Sequence, residues 1–237
     1  MKRLFFPCLL FCLTAIAVLP TTLAQDSTDE FKAIFDGKTL DGWSGNTDLW
    51  SVEDGAITGT TTAETKLQHN QFITWTEGEL KDFELKLQFR IQGGNSGIQF
   101  RSKAFGEEGE FRVGGYQADI DSGMRYMGIL FEERGRRILA ECGKKAEITA
   151  EGEKKVTGET GDVDEIKAAI DVEGWNEYVI RAKGNHIVQS INGKVTAEFT
   201  DHEEAKAAMS GILAFQIHVG PPMKVQFKDI QLKTLQQ

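Results

Sequence analysis

The strongest constraint on the fold is the strict alternation of apolar and polar residues in FELKLQFRI, residues 83–91. Every odd position carries a large apolar side chain, and the even positions carry Glu, Lys, Gln and Arg. Because successive side chains of a β-strand point to opposite faces, one face of this segment is apolar and the other polar. The pattern predicts an antiparallel strand with one side in the core and the other in water.

Several later segments repeat this pattern. They are EYVIRAK (177–183), HIVQSI (186–191), KVTAEF (194–199), GILAFQIHV (211–219) and MKVQFKDIQL (223–232). Gly184-Asn185 and Asn192-Gly193 separate the first three, and Asn-Gly suits the positive φ angles of a tight hairpin turn. The segments are therefore predicted to form an antiparallel meander, followed by two strands on either side of Pro221 and Pro222.

Helical patterns are short. DVDEIKAAI (162–170) and DHEEAKAAM (201–209) each begin with an Asp that can cap a helix and place acidic residues in the first turn, so both predict short helices on connections. Residues 143–161 are charged and poor in large apolar side chains, which predicts a mobile loop. The whole pattern predicts one all-β domain over residues 31–237, a jelly-roll β-sandwich of two antiparallel sheets with one or two short helices on connections.

The N-terminus has the order of a secretory signal peptide. Lys2 and Arg3 precede an apolar run from Leu4 to Leu19, and small residues follow up to Ala24. The run is shorter than the roughly 20 residues that a membrane-spanning helix needs. We therefore expect cleavage after Ala24, a disordered lead-in over residues 25–30, and a secreted or periplasmic protein with no membrane insertion after cleavage.

Charge and cysteine content limit the partners and the cross-links. The chain has 27 Lys and Arg against 36 Asp and Glu, a formal net charge of −9. Such a surface repels nucleic acid and anionic lipid, so neither is an expected partner. Cys142 is the only cysteine outside the predicted leader, so no intramolecular disulfide is expected.

Three strands carry polar side chains of a different kind from the Lys and Glu of a solvated face. These are Gln117, Asp119 and Asp121 in GYQADIDS (115–122), Gln99 and Arg101 in SGIQFRS (96–102), and Gln216 and His218 in GILAFQIHV. Any one row could be an ordinary wet sheet face. If the three strands are neighbours, the rows converge on a concave surface of directed hydrogen-bonding groups, which is typical of a ligand site.

This surface is of the kind that binds sugars, so carbohydrate is the expected partner. Its amides are predicted to bind substrate hydroxyl groups: Gln99, Gln117, Gln216 and Asn95. Its ionisable groups are the candidate catalytic residues: Asp119, Asp121, His218 and Arg101.

Several motifs together resemble the 3-keto-disaccharide hydrolase domain family, which lies in the concanavalin A-like lectin and glucanase superfamily. They are FDGKTLDGW (35–43), GNSGIQFRS (94–102), GYQADI (115–120), MGILFEE (127–133), WNEYVIRAKGNHIVQSING (175–193) and GILAFQIHVGPPMKVQFKDIQL (211–232). The resemblance implies a two-sheet sandwich, exported sugar processing, and a ligand on the concave sheet.

The resemblance also implies a reaction. A keto group at carbon 3 of a sugar acidifies the hydrogen at carbon 2, so a base can remove it while the glycosidic oxygen at carbon 1 leaves, and water adds afterwards. The base is Asp119, Asp121 or His218 in this hypothesis. Arg101, or a divalent metal ion held by Asp119, Asp121 and His218, would stabilise the enolate.

One departure argues against ordinary retaining glycosidase chemistry. Glucanases of the wider superfamily carry a nucleophilic Glu at the position where this chain has Gln117, and an amide cannot attack carbon 1. Two other functions stay open from the sequence: a carbohydrate-binding module without chemistry, and an interaction domain whose concave face is blocked by residues 143–161.

Overall fold

The computed structural model of this protein describes Met1 and residues 30–236. The predicted signal peptide, apart from Met1, and all but the last residue of the predicted lead-in over 25–30 lie outside the described residues. Within the described part of the chain, no helix combines the length and the apolar character needed to cross a membrane.

The described residues form seventeen strands and one short helix. The strands are β1 (Lys32–Ala33), β2 (Trp43–Ser44), β3 (Trp50–Glu53), β4 (Ala56–Thr61), β5 (Gln71–Trp75), β6 (Phe83–Gln92), β7 (Asn95–Phe105), β8 (Arg112–Asp121), β9 (Leu130–Glu133), β10 (Arg137–Ala140), β11 (Lys144–Ile148), β12 (Lys154–Glu159), β13 (Asn176–Lys183), β14 (His186–Ile191), β15 (Lys194–Asp201), β16 (Ile212–Ile217) and β17 (Met223–Thr234). The helix α1 spans Val163–Ala168.

The strands form two sheets. The ten-stranded sheet has the order β12-β11-β15-β14-β13-β6-β17-β4-β3, with β1 paired to β17, and the seven-stranded sheet has the order β10-β9-β8-β7-β16-β5-β2. Among the described strands, every pair is antiparallel except β11 with β15. The predicted all-β jelly-roll sandwich, with its meander β13-β14-β15, is confirmed.

The core lies between the two sheets. Phe83, Leu85, Leu87 and Phe89 of β6 are buried, and the polar residues between them are partly exposed, as the alternation predicts. Across the sandwich, the ring of Phe215 in β16 stacks on Phe227 in β17 with 4.0 Å between centroids. The apolar rows of the two sheets therefore meet face to face, which leaves the outer face of the seven-stranded sheet for other groups.

The helix α1 agrees with its prediction, because the side chain of Asp162 accepts hydrogen bonds from the backbone N–H groups of Asp164 and Glu165. The helix predicted over residues 201–209 is wrong, since the chain forms only turns there. Asp201 ends β15, and its carboxylate is bound by Arg136 and by the hydroxyl of Tyr116. These contacts hold Asp201 in the sheet rather than at a helix start.

The prediction of a mobile loop over residues 143–161 is also wrong. This segment forms the hairpin of β11 and β12 at the edge of the ten-stranded sheet, with β11 parallel to β15. Only Ala146 and Ile148 of the hairpin are buried, and β12 is almost wholly exposed. Two buried side chains give too weak an apolar pattern to predict an edge strand.

Candidate functional site

The three polar rows lie side by side on the outer face of the seven-stranded sheet. In the β7–β8 register Gln99 pairs with Gln117, Gly97 with Asp119, and Asn95 with Asp121, and β16 lies on the other side of β7. The strands are thus neighbours, as the sequence analysis required. The rows are not an open polar surface, however, because Gln99, Gln117, Gln216 and Asp119 are all buried.

The buried amides bind one another in a chain that ends at Asp119. Ser102 Oγ donates to Gln99 Oε1 at 2.6 Å, Gln99 Nε2 donates to Gln117 Oε1 at 2.8 Å, and Gln117 Nε2 donates to Asp119 Oδ1 at 2.5 Å. Each amide is oriented by its neighbour, so the direction of the last bond is fixed. Gln99 and Gln117, two of the amides predicted to bind substrate, thus bind each other and position the carboxylate of Asp119.

Gln216 joins the same group from β16. Its Oε1 lies 3.4 Å from Gln117 Nε2, and its own Nε2 has no hydrogen-bond partner among the described residues. It is inaccessible to solvent. Gln216 thus belongs to the buried amide group rather than to a ligand-accessible surface.

Gly97 makes room for this arrangement. A Cβ atom at Gly97 would lie 2.5 Å from Cδ of Gln117, far inside van der Waals contact. The side chain of Gln117 therefore crosses β7 at the one residue that has no side chain. This close approach explains why the strand carries a glycine opposite Asp119.

The environment of Asp119 changes its acidity. Burial raises the pKa of Asp119 to about 8, and the nearby carboxylates of Asp121 and Glu133 contribute in the same direction. Hydrogen bonds from Gln117 and Asn95 oppose the shift. Asp119 is therefore a carboxyl group whose pKa lies close to neutral pH, which is the range that suits a general acid or base.

A cleft of about 530 Å³ opens over Asp119. Its lining residues are Asn95, Gln117, Asp119, Asp121, Arg125, Tyr126, Ile129, Phe131, Glu133, Arg137, Ile138 and His218. The lining combines apolar side chains with two cations and three carboxyl groups, and the volume falls within the range of small-molecule sites. No residue of 143–161 lines the cleft, so the hypothesis of a site blocked by that segment has no support.

Glu133 is a site residue that the sequence analysis missed. It lies at the end of β9, and Asn70 Nδ2 donates to its Oε1 at 3.4 Å. Burial raises the pKa of Glu133 above its ordinary value, while His218 and Asn70 oppose the shift. The pairing of β9 with β8 places Phe131 beside Gln117 and so brings β9 to the polar row of β8. The four residues LFEE are too few to predict this pairing from the sequence.

Arg125, Tyr126 and Arg137 were also missed. Arg125 and Tyr126 lie in the loop between β8 and β9, where the guanidinium of Arg125 lies 5.0 Å from the centroid of the Tyr126 ring. Asp121 shapes this loop, because its Oδ1 accepts from the N–H of Gly123 at 3.0 Å and its Oδ2 from the N–H of Tyr126 at 2.9 Å. Asp121 thus lines the cleft, with both carboxylate oxygens bound by backbone.

Arg101 does not lie in the cleft, which corrects the sequence prediction. Its φ is 47°, and the β7–β8 register shifts between Phe100 and Lys103. This irregularity turns the side chain away from the row of Gln99. The guanidinium instead donates to Lys81 O at 2.7 Å, Gly184 O at 2.6 Å and Asp82 Oδ1 at 3.2 Å, and it is buried. Arg101 ties the two sheets together.

His218 follows β16 and lies exposed at the rim of the cleft. Its Nδ1 lies 2.5 Å from the backbone oxygen of Val219, so Nε2 is the ring nitrogen left for other contacts. Among residues 30–236, no three His, Cys, Asp or Glu side chains are grouped so that they could hold a metal ion. The hypothetical metal ligands Asp119, Asp121 and His218 therefore do not form a ligand set, and we derive no step through a metal.

Solved structures share the fold. A candidate glycosyl hydrolase from Parabacteroides distasonis aligns with a TM-score of 0.59 at 19% identity, over 87% of this chain and all of its own. A second one from the same organism gives 0.55 at 21% identity, over 87% of this chain and 94% of its own. The carbohydrate-binding module CBM66 from Bacillus subtilis gives 0.52 at 15% identity, over 81% of this chain and 96% of its own.

No curated protein sequence matches this chain. A family assignment comes from the sequence itself, since residues 30–233 match the family described as the 3-keto-alpha-glucoside-1,2-lyase-like domain. The match spans nearly all of the described residues and confirms the resemblance drawn from the motifs. The chain belongs to the 3-keto-alpha-glucoside-1,2-lyase-like domain family.

Proposed function

We propose that this protein is an exported enzyme that cleaves the glycosidic bond of 3-keto-glycosides, among them 3-keto-disaccharides, by elimination and hydration. The observation that carries the proposal is the buried carboxyl group of Asp119 at the bottom of a cleft that also holds Glu133, Arg125 and Arg137. The family assignment supports a sugar glycoside as the substrate class.

Asp119 is the base in this proposal. The hydrogen at carbon 2 lies next to the carbonyl at carbon 3, and the carboxylate of Asp119 takes it as a proton. A carboxylate with a pKa of about 8 is a stronger base than an exposed one. The bonds from Gln117 and Asn95 stabilise its ionised form and orient its oxygens.

The negative charge then moves to the oxygen at carbon 3. Arg125 and Arg137 both line the cleft, and their guanidinium groups stabilise this enolate. They take the role that the sequence analysis gave to Arg101. His218, at the rim, contacts the substrate and is not the base.

Glu133 is the acid. The enolate electrons re-form the carbonyl at carbon 3 and make a double bond between carbons 1 and 2, while the bond from carbon 1 to the glycosidic oxygen breaks. That oxygen takes a proton from Glu133. In an α-glucoside the hydrogen at carbon 2 and the oxygen at carbon 1 point to opposite faces of the ring, so two different groups are needed. Water then adds, with its oxygen on carbon 1 and a proton on carbon 2.

The test is the release of free sugar from a 3-keto-disaccharide and from its unoxidised parent, each with and without EDTA. We expect release from the keto form alone, and its loss in Asp119→Asn. The matched control is Asp48→Asn, because Asp48 is exposed and lies outside the cleft. If neither sugar is cleaved while sugar binding persists, the protein is a carbohydrate-binding module and the enzyme proposal fails.

A further inference from the structure

A second pocket of about 310 Å³ lies next to the cleft over Asp119, and His218 lines both. The other residues around it are Thr61, Thr65, Lys66, Leu67, Gln68, Val219 and Gly220. Its volume lies at the lower end of the range of ligand pockets, about 300–1,000 Å³. The two spaces together could hold a ligand longer than one sugar ring.

Asn70 links the wall of the second pocket to the catalytic carboxyl groups. Its Oδ1 accepts from the N–H of Val219 at 2.9 Å, and its Nδ2 donates to Glu133 Oε1 at 3.4 Å. Glu133 and His218 therefore lie toward the boundary between the two pockets. Asp119 lines only the first.

The linings of the two pockets differ in chemistry. The first presents Ile129, Phe131 and Ile138 beside its charged groups. Around the second, Thr65, Lys66 and Gln68 supply hydroxyl, ammonium and amide groups. Such groups hydrogen-bond to the hydroxyls of a sugar and offer little to a flat apolar group.

We propose that the second pocket is the leaving-group subsite and that it takes a second sugar ring. This inference rests on the proposed function and deepens it. The glycosidic oxygen of a disaccharide lies between its two rings, and its proton donor must face that point. Glu133 lies at the corresponding boundary, with the keto-sugar over Asp119 on one side and the leaving sugar beyond His218 on the other.

Gly220 offers a direct test. A Cβ atom there would have only one neighbour, the His218 side chain at 4.0 Å, so a large side chain can enter the pocket from an unstrained backbone. We compare kcat/KM for a 3-keto-disaccharide with that for the methyl glycoside of the same 3-keto-sugar. In Gly220→Phe the ratio of the two values should fall about tenfold, because only the disaccharide fills the second pocket.

Two further variants complete the experiment. Gln68→Ala removes an exposed amide of the pocket and should lower the same ratio about threefold. Gly158→Phe adds the same ring on β12, outside both pockets, and should leave the ratio unchanged. An unchanged ratio in both Gly220→Phe and Gln68→Ala, with the unaltered protein active, would overturn the subsite alone. No turnover of either substrate by the unaltered protein would overturn the proposed function and the subsite with it.

Discussion

Gln117 Nε2 donates a hydrogen bond of 2.5 Å to Asp119 Oδ1, and the direction of that bond is fixed by Gln99 behind it. The bond stabilises the ionised carboxylate, whereas burial stabilises the neutral acid. The balance of the two keeps the pKa of Asp119 near neutral pH. The hydrogen bond from the buried amides, together with burial, thus determines the protonation state of Asp119 in the cleft.

The pH dependence of activity tests this balance. In the active form of the Asp119–Glu133 pair, Asp119 is ionised and Glu133 holds the single proton. The pair loses this proton above about pH 8 and takes up a second one at acid pH, so kcat/KM should fall on both sides. Gln117→Leu removes the donor to the carboxylate, so the pKa of Asp119 rises and the upper limb of the profile should move up by about one unit. Gln92→Leu, at the exposed end of β6, is the control. An upper limb that stays in place would show that Gln117 does not tune Asp119.

The raised pKa of Asp119 should also make the free energy of unfolding depend on pH. Its pKa is higher in the folded state than the ordinary value of 3.8, so the folded protein binds this proton more tightly than the unfolded chain does. The stabilising contribution of the proton is present at low pH and is lost as pH rises toward 8. Asp119→Asn should therefore raise the free energy of unfolding at pH 8 by on the order of 2–5 kcal/mol and change it little at pH 4. Denaturant titrations at the two pH values check this, and equal effects at both would contradict the raised pKa.

A substrate with a better leaving group distinguishes the base, Asp119, from the acid, Glu133. A 4-nitrophenyl glycoside of the 3-keto-sugar needs no acid, because nitrophenolate leaves without a proton. Glu133→Gln should lose about 100-fold or more in kcat on the disaccharide and recover most of it on the nitrophenyl substrate. Asp119→Asn should be inactive on both. Recovery in Asp119→Asn instead of Glu133→Gln would reverse the assignment of base and acid.

Arg101 should matter to stability and not to chemistry. Arg101→Met leaves the Asp82 carboxylate without its cationic partner and the carbonyl groups of Lys81, Gly184 and Ala208 without this donor, so we expect a loss of about 3–5 kcal/mol in the free energy of unfolding. Arg181→Met breaks an exposed ion pair with Glu84 at 3.8 Å and should cost less than about 1 kcal/mol. Chemical denaturation of the two variants compares these values. A folded Arg101→Met of normal stability with no activity would return Arg101 to the catalytic site.

The alternation of apolar residues predicted most of the sandwich, because the period of two depends only on local geometry and burial. FELKLQFRI became β6 with its predicted buried face, and the chain forms hairpins at Gly184-Asn185 and at Asn192-Gly193. The hairpin of β11 and β12 was missed because its stability comes from pairing with β15, which lies far along the chain. Local patterns predict strands that bury their own side chains and miss strands that are held mainly by a partner.

The candidate site was only partly predictable for a similar reason. The polar rows of β7, β8 and β16 were visible, but their burial and the bonds between Gln99 and Gln117 depend on strand register. The side chain of Arg101 does not point the same way as Gln99, because the backbone of Arg101 has a φ of 47°. No residue type in this segment predicts that irregularity. Glu133 lies in a four-residue strand, too short to show which neighbour it faces.

The most direct test of the account is the origin of the hydrogen at carbon 2 of the released sugar. The 3-keto-disaccharide is cleaved in D₂O, and the deuterium content at carbon 2 of the product is measured by mass spectrometry, with substrate and product incubated without enzyme as controls for spontaneous exchange. Elimination and hydration predict deuterium at carbon 2 in each product molecule for which the proton on Asp119 exchanges with solvent before it returns, and severalfold slower cleavage of a substrate already deuterated at carbon 2. Enzymatic release of a product that keeps its original hydrogen at carbon 2, together with no slowing of the deuterated substrate, would mean direct hydrolysis at carbon 1 and would contradict the assignment of Asp119 as the base.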